Sequence, residues 1–122
     1  MLLEKLKDDF SVCKVHDYTL VDLNLPYCFI GNTDKEKSLV CPTQQVPANV
    51  IAREDGWRAF RVQGVLDFSL VGILANISNL LANHEISIFV ISTFDTDYLW
   101  VKKENVEKAE SILACAGYRI VE

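Results

Sequence analysis

The chain has 122 residues, half of them apolar, and its 17 acidic against 12 basic residues give a formal charge of −5 at pH 7. That length can bury one proper core or two small ones, and the apolar share excludes a disordered chain. The negative balance and the scattered Lys and Arg leave no footprint for a phosphate backbone, and no run approaches the roughly 18 apolar residues that span a bilayer, so neither nucleic acid nor membrane is expected as a partner.

The opening Met-Leu-Leu-Glu-Lys-Leu-Lys-Asp-Asp is mixed in charge and lacks the apolar core of a signal peptide, so a cytoplasmic protein is expected. Strand candidates follow at Phe10 to Val15, Cys28 to Gly31 and Leu39 to Cys41. Asn32-Thr33-Asp34 is the turn between the last two, with Pro26, Pro42 and Pro47 as punctuation. No convincing long helix falls in this half. Cys13, Cys28, Cys41 and Cys115 form no Cys-x-x-Cys pair, and three of the four lie in apolar strand-like stretches, so they read as reduced core residues. Arg53-Glu54-Asp55, within 52–56, reads as a charged link that divides the chain into domains 1–55 and 56–122.

Trp57 to Gly64 alternates, with Phe60 and Val62 on one face and Arg61 and Gln63 on the other, which predicts a strand. Leu70, Ile73, Leu74, Ile77, Leu80 and Leu81 recur at steps of three and four, predicting a helix over Ser69 to Asn83 with Asp67 or Ser69 as its N-cap. Ile86 to Phe94 is apolar on both faces and reads as a central strand covered on each side. An acidic turn, Asp95-Thr96-Asp97, leads to a returning strand at Tyr98 to Lys102. Val106, Ala109, Leu113 and Ala116 place a second helix over Glu104 to Ala116; Gly117 stops it as a left-handed C-cap, and Tyr118 to Val121 is strand-like.

The order β-α-β-β-α-β is that of an α+β, ferredoxin-like unit, with two helices on one face of a four-stranded antiparallel sheet. The first half reads as a reduced version of the same unit. The bare sheet face calls for a cover, supplied by the N-terminal strands or a second subunit.

Three stretches carry a family resemblance: Gly56 to Gly64, Leu66 to Ala75 and Ile86 to Tyr98, above all Ser92-Thr93-Phe94-Asp95-Thr96-Asp97-Tyr98. Together they resemble a small tandem ACT-domain protein of the aspartate-kinase type, strongly over 56–122 and weakly before it. The same string is similar to the amino-acid pocket of the eukaryotic cytosolic arginine sensors. The resemblance implies a non-catalytic fold that binds a small ligand, usually an amino acid, often across a domain or subunit interface. It places Gly72 and Ile73 at the sensors' helix start, and Thr93, Phe94 and Asp97 after their second strand. Leu70 stands where the sensors carry an acidic loop residue, with Asp67 the nearest acid, which counts against arginine.

The residues themselves point the same way. Gly72 falls in the first turn of a helix, where unpaired N–H groups and the positive end of the macrodipole hold an anion. An aspartate on the facing hairpin, Asp97, suits the ammonium of a zwitterion. Each residue also has a purely structural reading: Gly72 for close packing of its helix, Asp95 and Asp97 for capping their own turn, Thr93 as a strand residue and Phe94 as core.

His16 and His84 are far apart without a nucleophile motif, and no phosphate-loop or dinucleotide glycine pattern and no metal-ligand cluster is present, so neither catalysis nor a cofactor is expected. RNA binding through a ferredoxin-like sheet would need more exposed aromatics and a basic surround. The expected protein is therefore a regulatory, homodimeric ACT module that binds an amino acid through Asp67, Gly72, Ile73, Thr93, Phe94 and Asp97. The alternatives are a protein–protein interaction module, or a detached regulatory subunit of an amino-acid biosynthetic enzyme, with no ligand of its own.

Overall fold

The structure is a computed structural model that describes residues 2–63 and 72–122. The chain forms two compact units, one from residues 1–7 with 58–122 and one from 8–57.

The larger unit contains β1 (Leu2–Lys5), the last residues of β5 (Val50–Val62), α1 (Ile73–Ala82), β6 (Ile88–Ser92), β7 (Asp97–Lys102), α2 (Val106–Cys115) and β8 (Arg119–Val121). β1 pairs antiparallel with β5, Leu3 opposite Val62, and parallel with β8, Leu3 opposite Ile120. β7 pairs with β5 and, antiparallel, with β6, where Phe89 stands opposite Trp100. An N-terminal strand thus stands between the two strands that are neighbours in a four-stranded ferredoxin-like sheet. The segment 1–7, grouped with the first half on sequence, pairs here instead because Leu3 is fully buried against the core of 58–122.

That core joins Leu3, Phe60, Val62, Leu99 and Val101 of the sheet to Ile77 and Leu81 of α1 and Val106, Ala109 and Leu113 of α2. Both helices end as expected for a left-handed residue at C′. Gly117 (φ 100) and Glu85 (φ 61) take that position, and the Tyr118 and Ile86 N–H groups donate to Leu113 and Leu81 carbonyls at 3.0 Å each.

Three expectations are corrected here. β6 pairs with β7 alone among the described strands, so it is an edge strand and not a central one. Its two apolar faces have separate partners: Ile88 and Val90 face the core, while Phe89 stacks on Trp100 at 4.8 Å between ring centroids. Arg53-Glu54-Asp55 lies inside β5 and is no link. Its charges are matched locally, Asp55 accepting from Ser11 Oγ and from Arg53 Nε at 3.1 Å. Cys115 is exposed on α2 rather than in a core.

The smaller unit holds β2 (Phe10–Val15), β3 (Phe29–Asn32), β4 (Lys37–Pro42) and the first part of β5, in the antiparallel order β3-β4-β2-β5. Its core is Cys13, Val15, Leu39 and Cys41. Burial pushes the Cys13 thiol up and that of Cys41 to about 12, which favours the neutral thiol in both at physiological pH.

Lys5 ties β1 to α2 and to the chain end, reaching Glu110 at 2.8 Å and Glu122 at 2.7 Å. Hydrogen bonding to Glu110, then to Glu122, raises the Lys5 pKa above 10.5, and the bond from Lys5 holds the Glu122 carboxyl below 4.5. The raised ammonium stabilises the fold below 10.5, and that contribution is lost as pH rises through its shifted pKa. The lowered carboxyl stabilises the fold above 4.5, and that contribution is lost as pH falls through its own. Lys5→Met should therefore narrow the stability difference between pH 7 and pH 3 in urea unfolding, relative to the parent chain; an unchanged acid limb would mean that Lys5 takes no part in it.

Candidate functional site

Gly72 occupies the N-cap of α1 with φ 86, a left-handed conformation that favours glycine. A Cβ built there meets no described atom within 4 Å, and the positive φ is by itself a reason for glycine at the position. The first intrahelical bond runs from the Asn76 N–H to the Gly72 carbonyl at 2.8 Å. The N–H groups of the first turn are therefore left without intrahelical acceptors, and no described side chain caps them. Ile73, half-buried, packs on the core and borders a hollow of about 300 Å³ with Asn76, Gly117 and Tyr118. Asn76 Nδ2 donates to Tyr118 Oη at 2.6 Å across that hollow.

The β6–β7 turn is closed by Thr93, whose N–H and hydroxyl both donate to the Thr96 carbonyl, at 2.8 and 3.1 Å. Ser92 Oγ donates to the half-buried Asp97 carboxylate at the base of the turn. Thr96 Oγ1 donates to the Val62 carbonyl at 2.7 Å, which pins the acidic turn beside the end of β5. From there the chain runs on to Gly72. The short connection 83–87 makes α1 and β6 antiparallel, so the helix start and the β6–β7 turn lie at the same end of this unit.

Thr93, Phe94 and Asp97 thus share one hairpin, and Gly72 and Ile73 head the helix at the same end. Asp67 lies outside the described residues. Phe94 is 88% exposed at the turn and contributes nothing to the core of this chain, against its reading as a core residue. His16 and His84 are both exposed.

The sequence reading missed Thr96 as the tie between turn and strand; a β-branched hydroxyl between two aspartates was the only available signal. It also missed the network on the sheet face away from the helices. There Arg61 lies over the Tyr98 ring at 5.8 Å and donates to the Glu4 carboxylate, which also accepts from Gln63 Nε2 at 2.6 Å.

A model of the ACT domain family matches residues 52–115, and the chain belongs to that family. No curated protein matches it. A protein of Agrobacterium tumefaciens is similar at 31% identity, with a TM-score of 0.87 over 98% of this chain and 91% of that one. The regulatory subunit of aspartate kinase from Thermus thermophilus, in its ligand-free form, shares the fold at 11% identity, with a TM-score of 0.61 over 94% of this chain and 96% of that one. The aspartate kinase of Clostridium acetobutylicum does so at 13% identity, with a TM-score of 0.66 over 90% of this chain and 33% of the kinase. The α+β, ferredoxin-like architecture read from the β-α-β-β-α-β order is that of this family.

Thr96→Val keeps the shape of the side chain and removes its hydroxyl. It should cost about 1 kcal/mol, the net worth of one such bond, in chemical denaturation, and should broaden the amide signals of 93–97; a variant as stable and as ordered as the parent would contradict the pinning.

Proposed function

We propose that this chain is a non-catalytic regulatory ACT protein that binds a small zwitterion, an amino acid, between the start of α1 and the β6–β7 turn. The observation that carries the reading is the bond from Thr96 to Val62, which holds the acidic turn at the end of β5, together with a first turn of α1 that no described side chain caps. In this reading the ligand carboxylate accepts from the first-turn N–H groups after Gly72, which no described side chain caps, and its ammonium donates to Asp97. Thr93 keeps the turn in shape, Ile73 offers an apolar wall, and the exposed Phe94 supplies an aromatic lid. Asp67, which lies outside the described residues, is the nearest acidic residue before Gly72 in the sequence and is kept in this reading as a further acidic contributor.

In this reading the protein works in the cytoplasm as a homodimer; the dimer is supported by the edge of β6 that pairs with no other described strand and presents apolar residues to a second copy. The N-terminal half is a degenerate ACT domain. In its support, the β3–β4 turn repeats the β6–β7 turn sixty residues later: the Thr33 N–H and hydroxyl donate to the Glu36 carbonyl at 3.0 and 3.3 Å, as those of Thr93 do to Thr96.

Thermal unfolding against the twenty amino acids tests this reading. A true ligand at about 100 times its dissociation constant adds about 2.7 kcal/mol to the folded state. Asp97→Ala should abolish that shift, while the ligand-free chain loses no more than the bond from Ser92, about 1 kcal/mol. No shift with any amino acid would favour a protein-interaction module instead.

A further inference from the structure

The two similar hairpins differ in what covers them. In the larger unit, Leu99 and Val101 of β7 are buried under Ile77 and Leu81 of α1. The matching β4 positions in the smaller unit are Leu39 and Cys41, as the pairing of Phe29 with Val40 and of Phe89 with Trp100 establishes. There the connection from β2 to β3, residues 16–28, holds no α-helix. A cavity of about 180 Å³ stands over Leu39 and Cys41, walled by Leu20, Leu25 and Cys28. It occupies the level at which aliphatic helix side chains stand in the larger unit.

Two of these walls are open: Leu20 is 57% and Leu25 40% exposed. Apolar surface in a concave, partly open site gains from being covered by an apolar group. The rim is polar. Asp22, Gln44 and Gln45 border the same cavity. The Asp22 carboxylate accepts the Asn24 N–H at 3.0 Å, and with about four lone-pair positions it retains capacity for a further donor. The Cys28 and Cys41 thiols are kept neutral by burial, so they bring no competing negative charge to the apolar end.

We infer that this cavity binds a small molecule with a branched aliphatic arm and a single ammonium, the arm against the Leu20, Leu25 and Cys28 walls above the buried Leu39 and Cys41, and the ammonium on Asp22. The shared chemistry covers simple aliphatic amines and aliphatic amino acids, whose carboxylate would meet the Gln44 and Gln45 amides. This site is separate from the one headed by Gly72 and does not depend on it.

The test is an amide-resolved NMR titration of the full ¹⁵N-labelled chain at neutral pH with isopentylamine, L-leucine and 4-methylpentanoate. Isopentylamine or L-leucine should perturb the amides of 20–25, 28, 39, 41, 44 and 45, and 4-methylpentanoate should act at least tenfold more weakly. Equal responses to the amine and to leucine assign the amine class; a response to leucine alone assigns amino acids. Asp22→Asn should weaken the response at least tenfold. Leu25→Trp, which fills the cavity from a half-exposed position, should abolish it, each variant first giving a folded spectrum. Silence of those amides towards all three probes, or an undiminished response in Asp22→Asn, overturns the inference.

Discussion

The pairing of β5 on both flanks, by β1 on one side and β7 on the other, is the constraint on which the larger unit depends. It converges on Val62. This residue is buried in the core, stands opposite Leu3, and offers its carbonyl to the Thr96 hydroxyl. One residue later, the Gln63 N–H donates to the Leu2 carbonyl at 2.9 Å, and its side chain reaches Glu4. An antiparallel ladder fixes which residues stand opposite one another and which face each side chain takes. The position of the acidic turn relative to the strand end therefore follows from the register of β5 and is not a property of the turn alone.

The electrostatic logic of the site follows from that placement. A helix start with unshared N–H groups attracts an anion, and a half-buried aspartate attracts a cation. Each alone is a common surface feature, and each has a local structural use, Gly72 for its left-handed backbone and Asp97 for holding Ser92. Their presence at one end of one unit is what distinguishes the arrangement. The equivalent pair in the smaller unit is Asn32 and Lys37, at the positions of Ser92 and Asp97, so the repeated hairpin reverses the sign of charge at its base.

Much of this fold was legible from residue patterns, because the two helices carry clean three-and-four spacing and Gly117 marks a stop that the backbone then uses. β1 was not legible. Leu2-Leu3-Glu4-Lys5 is too short for periodicity to register, and its charges look solvated until Glu4 meets Arg61 and Lys5 meets Glu110. The two-sided apolarity of β6 suggested a central strand, since a pattern of exposure cannot distinguish cover by a second layer from cover by one indole ring such as Trp100. The charged residues of β5 resemble a link for a related reason: pairing between Arg53 and Asp55 is invisible without the strand. At the site, residue types were readable and geometry was not. The composition of 92–98 singles out the turn, but only the folded chain shows Thr96 as its anchor and Phe94 as an exposed ring.

The central claim is that one small zwitterion bridges the start of α1 and the β6–β7 turn. Amide hydrogen exchange of the intact chain, with and without a mixture of the twenty amino acids, addresses it most directly. The account predicts that the first-turn amides of α1 and those of 93–97 slow together when the mixture is present. Slowing at one of the two segments while the other exchanges unchanged would contradict it.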